Sequence, residues 1–240
     1  MNFIIEEIKQ KGKSFKLDNM KKVILNILIL YLSALSAYVS AQDDKAKLFK
    51  EYDERFKLCN YPFTFSDDYT KNSKVDFFAE RIPDKMQQEF VYAQGIKKMN
   101  FGCVEHPDDG YYSYSKFRSK TNVNMYVICL GIEPGCGYVN YLLTYSDTYQ
   151  LADSLIIEGI MPYRAGDDHI WKTVYFESIL DADSINILKA EWIETGKSTE
   201  NKIEFRVISY DIVYKVNRQG NFILQRQKKR ESINYRNKFI

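Results

Sequence analysis

Four cysteines, two histidines and a large stock of carboxylates are the residues through which this chain could do chemistry. Cys59, Cys103, Cys129 and Cys136 allow three disulfide connectivities. A tight turn at Pro134-Gly135 pairs Glu133 with Cys136 and puts Cys129 opposite Asn140, so a Cys129–Cys136 clip needs a looser loop. Cys59 and Cys103 both lie in loop-like sequence and make the favoured bridge. No C-x-x-C spacing occurs, and thiolate sites need ligands that close, so neither a metal nor another cofactor is expected. His106 and His169 would have to serve any Cys–His or Ser–His pair, and no G-x-S-x-G elbow positions a serine. Asp167-Asp168-His169 reads as half a metal site with no partner at diagnostic spacing. Glu177, Asp181, Asp183 and Glu191 flank one hairpin, whereas glycoside hydrolysis needs two carboxyls facing each other across a cleft. Asp181-x-Asp183 also lacks the glycine and distal glutamate of a calcium loop. No catalytic residue is assigned, and the expectation leans away from an enzyme.

The stretch best suited to recognition is Tyr111, Tyr112, Tyr114, Lys116 and Arg118, where aromatic rings alternate with cations. Such a row can stack on sugar rings or bases. The competing reading is a strand whose tyrosines cover a sheet while its cations face water.

A content of 19 Tyr and 15 Phe among 240 residues leans towards sheet, because a tyrosine ring packs while its hydroxyl reaches water. The N-terminus has the three parts of an export signal. Met20-Lys21-Lys22 is a positive start, residues 23–35 are apolar, and Val39-Ser40-Ala41 puts small residues before Gln42. The apolar run is shorter than the roughly twenty residues of a membrane span. Residues 1–19 are read as a mis-assigned upstream start, residues 20–41 as a cleaved secretory signal, and 42–225 as one domain. Removing 1–41 leaves 28 basic and 29 acidic residues, so no global positive field is present for nucleic acid. The protein is expected to be exported, periplasmic or secreted, with no transmembrane anchor after cleavage. A glycan or envelope component is the partner class considered.

Residues 45–57 and 83–94 carry helical spacing, with Gly95 as a stop for the second. Strands are expected at 122–132, 138–145, 151–161, 170–180, 184–193, 202–216 and 221–225. The apolar frame moves by one after Val207, which reads as a bulge or bend. Residues 226–240 are basic, lack an apolar period and are expected to fray. The fold class is α+β, mainly an antiparallel β meander preceded by two helices, with a closed antiparallel β-barrel as the alternative.

Two segments, YLLTYSDTYQLADSLIIEG at 141–159 and YDIVYKVNRQGNFIL at 210–224, carry a resemblance. They resemble a pattern in small uncharacterised exported proteins of Bacteroidetes: a strand ending L-x-T-Y-D, a polar turn, a D-S-L strand, and a closing Y-x-I-x-x-x-G-x-F hairpin. Ser146 stands where Asp is usual, and Tyr149-Gln150 replaces the usual Gly-Lys. The resemblance implies bacterial export and a sheet-rich domain, and it supplies no catalytic residue. Three functions remain open on the sequence: a non-enzymatic binding or envelope domain, a carboxylate-dependent hydrolase of glycans or envelope polymers, and a barrel carrying a small apolar ligand.

Overall fold

The computed structural model describes residues 2–65, 80–93, 95–96, 110–131, 138–165, 170–199 and 201–237. The chain divides into two units, residues 1–48 and 49–240. The first is helical and belongs to helix α1 (Asn2–Asp53). Neither Gly nor Pro occurs from Lys13 to Asp53, so nothing interrupts the i→i−4 ladder, and the helix expected at 45–57 is the continuation of the apolar one. Ile24–Asp53 is long and apolar enough to cross a membrane by length and composition. A signal sequence near an N-terminus meets the same criterion, and the apolar side chains Ile24 to Leu35 are exposed.

The second unit is built on one antiparallel meander. Strands β2 (Gly110–Arg118), β3 (Asn124–Gly131), β4 (Tyr138–Tyr145), β5 (Leu151–Ala165), β6 (Ile170–Leu180), β7 (Ile185–Ser198), β8 (Lys202–Val216) and β9 (Phe222–Asn237) lie side by side in chain order. Strand β1 (Phe63–Phe65) joins off this path by pairing with Ser178, Ile179 and Leu180 of β6. The sheet is not closed: its order runs from β2 to β9, which corrects the barrel alternative. The meander itself, the hairpin over Asp181 to Ser184 and the pairing of Cys129 with Asn140 match the sequence reading.

Both faces of the β2–β5 region are covered. On one, Phe49 and Tyr52 from the end of α1 and Phe56 from the turn just after it pack on Tyr126, and Phe49, Tyr52 and Phe90 pack on Tyr145. Phe90 comes from a short helix, α2 (Asp84–Gln87) running into a π-helical turn over Gln88–Tyr92, with Ala93 as its C-cap and Gly95 beyond it at φ +90°. On the other face Phe65, Phe117, Met125, Val127, Leu142, Ile157 and Leu180 form the core. Successive strand residues point to opposite faces, which is why Leu142 and Leu143 are both fully buried.

Two local expectations fail. No register shift occurs at Val207-Ile208, where pairing with β7 is regular and both residues are buried. The irregularities of β8 lie instead between Val213 and Tyr214, opposite β9, and at Ile203 to Phe205, opposite the shift between Glu194 and Ser198 of β7. The stretch from residue 226, expected to fray, is the second half of β9 and pairs with β8 up to Asn237.

Candidate functional site

The row Tyr111, Tyr112, Tyr114, Lys116 and Arg118 lies on β2, where its side chains divide between two covered faces. Tyr111 is fully buried against Tyr92 and Tyr141. Tyr114 packs on Phe65 in the opposite core, and burial, with Glu158 nearby, holds its hydroxyl well above its ordinary pKa. Tyr112 is half-buried and Arg118 exposed. Lys116 donates from Nζ to Asp53 Oδ1 at 2.7 Å. The outer edge of β2 is covered too: Lys116 N–H donates to Lys57 O, Cys59 N–H to Lys116 O, Ile82 N–H to Tyr111 O and Ser113 N–H to Glu80 O. The five residues are thus not brought together as a stacking surface.

Other predicted residues are dispersed. Cys59 is a free thiol whose pKa burial pushes up, and Cys103 lies outside the described residues, as do Cys136, His106, Asp167, Asp168 and His169. Glu191 accepts from Lys172 at 2.8 Å and Lys189 at 2.6 Å. Burial raises its pKa, but the two lysines outweigh that and hold it below the ordinary glutamate value. Asp183 pairs with Lys120 at 2.9 Å. Among the described residues no three His, Cys, Asp or Glu side chains gather as metal ligands.

What the fold does assemble is a groove of about 700 Å³ at the end of the sheet that carries the β2–β3, β4–β5 and β8–β9 turns. The three turns share one geometry. Ser119 N–H donates to Val123 O and Asn122 N–H to Ser119 O; Ser146 to Gln150 and Tyr149 to Ser146 repeat it; Asn217 to Asn221 and Gly220 to Asn217 repeat it again. The first side chain of each caps the last backbone N–H: Ser119 Oγ from Val123 N at 3.0 Å, Ser146 Oγ from Gln150 N at 3.3 Å, Asn217 Oδ1 from Asn221 N at 2.9 Å. A three-residue loop of this kind needs a left-handed residue in its last position, normally Gly or Asn. Gly220 (φ +87°) and Asn122 (φ +68°) follow that rule, and Tyr149 (φ +60°) breaks it.

All three left-handed residues line the groove. Asn122 and Tyr149 are the non-glycine residues with positive φ among the described residues. Tyr149 stacks on Phe49 at 4.8 Å between centroids and 29° between planes, and Phe49 in turn meets Tyr145 at 5.1 Å and Tyr126 at 6.0 Å. Cross-links hold the turns in place: Thr144 Oγ1 donates to Gly220 O at 2.6 Å, Thr121 Oγ1 to Val216 O at 3.3 Å, and Phe222 N–H to Asp153 Oδ2 at 2.9 Å. Tyr126 donates to Asp53 Oδ1 at 2.7 Å and Tyr145 to Phe90 O at 2.9 Å, so both hydroxyls are committed inward. Burial holds both phenols neutral far above their ordinary pKa.

The mouth is polar and close to neutral. Thr121, Asn122, Asn124, Ser146 and Gln219 line it beside one carboxylate, Asp147, and one guanidinium, Arg218. An amide can give and accept hydrogen bonds at once, as a pair of neighbouring hydroxyls requires. With Asp147 the one carboxylate in the described lining, a facing acid and base is not assembled there. The sequence reading missed this site. Its signal was the recurrence of Ser119-Lys120-Thr121-Asn122, Ser146-Asp147-Thr148-Tyr149 and Asn217-Arg218-Gln219-Gly220 as turns of one type. Comparison with protein-family models, with curated proteins and with solved structures gives no match to the chain.

Proposed function

We propose that this chain is an exported, non-enzymatic binding protein whose turn-end groove takes an uncharged glycan chain. The observation that carries the reading is Tyr149. A bulky residue in left-handed backbone costs about 1–3 kcal/mol, and such strain collects at ligand clamps. Here it sets an aromatic ring beside Phe49 in the wall of the groove. The near-neutral rim of Asn122, Asn124 and Gln219 favours hydroxyl-bearing ligands over charged ones. Export rests on the positive, apolar and small-residue order of residues 20–41 and on the exposed apolar helix that follows from it.

The test is an array of neutral and charged envelope oligosaccharides, probed with the full chain in non-ionic detergent and with Tyr149→Gly and Asn124→Ala. Binding to neutral members that falls about tenfold or more in both variants, a loss of about 1.4 kcal/mol or more, supports the reading. Binding that ignores both substitutions, or none to any neutral saccharide, overturns it.

A further inference from the structure

The two edges of the sheet are treated differently. The β2 edge is covered by the chain's own residues 57–59 and 80–82, whereas β9 presents an outer edge that pairs with nothing among the described residues. Every residue from Ile223 to Arg236 is exposed. Within β9 there are five basic residues and one acid, and that acid, Glu231, is already held by Arg206 through contacts of 2.6 and 3.2 Å. Arg226 pairs with Asp211 at 3.6 Å, and Arg236 lies 4.1 Å over the ring of Trp192. Lys228, Lys229 and Arg230 have no ion-pair partner among the described residues.

We infer that the β9 edge receives an extended acidic segment of another protein by strand addition. Main-chain N–H and C=O groups along an open edge supply the affinity, and alternate side chains supply the selection. Lys228 and Arg230 are two apart and therefore share a face, so the partner must carry carboxylates in acid-x-acid spacing opposite them. A second copy of this chain would bring the same cations against this stretch, and like charges directly opposite destabilise a ladder. Lysines that only protect an edge would discourage every strand. Here the edge is long, regular from residue 226 to 237, and one-signed, so it discriminates among strands by charge.

The experiment titrates the full chain with a synthetic peptide of about ten residues alternating Thr and Glu, its Thr-Lys counterpart, and the Thr-Glu peptide N-methylated on alternate amides. Expected are saturable binding of the Thr-Glu peptide alone, weakening as salt rises, and an affinity drop of about tenfold or more in the Lys228→Gln, Arg230→Gln double variant. Unchanged thermal unfolding of that variant shows that the loss is local. Equal binding of the N-methylated peptide reduces the edge to a charge patch and overturns the inference. So do equal binding of the Thr-Lys peptide, absence of any binding, or a free chain that sedimentation shows already paired through β9.

Discussion

Replacing Tyr149 separates the backbone strain of the β4–β5 turn from the packing of its ring. At φ +60° the residue holds a conformation that costs a non-glycine side chain about 1–2 kcal/mol. Its stacking on Phe49 returns about 0.5–1.5 kcal/mol. Tyr149→Ala keeps the strain and loses the ring, so it is expected to destabilise the fold by about 1 kcal/mol. Tyr149→Gly loses the same ring but relieves the strain, offset in part by the greater freedom of glycine in the unfolded chain. Its stability is expected to exceed that of Tyr149→Ala by about 1 kcal/mol, or roughly 2–4 °C in Tm for a unit of this size. Urea and thermal unfolding of the two variants read the difference directly. A glycine variant no more stable than the alanine one would refute the strain argument, and with it the main support for the groove as a clamp.

Gly220→Ala should lower stability by about 1–3 kcal/mol, because φ is +87° and the added Cβ would sit 3.2 Å from Ala152 Cβ and 3.3 Å from Thr144; Asn122→Gly, measured beside it, should stay within about 0.5 kcal/mol of the parent. Asp53→Ala removes the acceptor of both Lys116 Nζ and Tyr126 OH, each at 2.7 Å, and is expected to cost about 2 kcal/mol. Adding Tyr126→Phe to that variant should cost much less than it does alone, since the two share one contact; additive unfolding energies would contradict the pairing. Alkaline pH should unfold the protein. Burial raises Tyr141 from 10.0 to about 12 and Cys129 from 9.0 to about 12, and Tyr52, Tyr111, Tyr114, Tyr126 and Tyr145 are raised as well. Below about pH 8 these groups are protonated in both states and stability is fully present; Cys129 begins to withdraw its share as pH passes 9. Above pH 10 the unfolded chain releases protons that the folded one keeps, so each buried tyrosine lowers stability by about 1.4 kcal/mol per pH unit. Part of the tyrosinate absorbance, that of the buried set, should therefore rise only with the loss of circular dichroism; the full absorbance of all 19 tyrosines in a still folded protein would contradict the burial.

Local pattern was enough where an apolar run is bounded by clear turn residues at both ends. The bounds of β4, β6 and β8 follow directly from apolar alternation and flanking turn residues, and the opposition of Cys129 and Asn140 follows from turn length alone. Pattern failed where pairing rather than burial makes the strand. Residues 226–236 are exposed on both sides and mostly polar, with no apolar period, and among the described residues β8 alone supplies the ladder that keeps them extended. Three-residue β1 is too short to carry a period. The aromatic row on β2 misled for a related reason: tyrosines at both parities of a strand serve two interiors, and only the covering segments reveal that neither face is free.

The groove lies beyond any local reading. The departure at Tyr149-Gln150 was visible as an unusual turn sequence, yet its consequence depends on backbone handedness and on Phe49, a hundred residues earlier in the chain. Turn chemistry belongs to the sequence, since each turn is set by its own few residues. The meeting of the turns at 119–122, 146–149 and 217–220 belongs to the tertiary structure, because antiparallel strands return alternate connections to one end of a sheet, and packing on the core then draws them around a single groove.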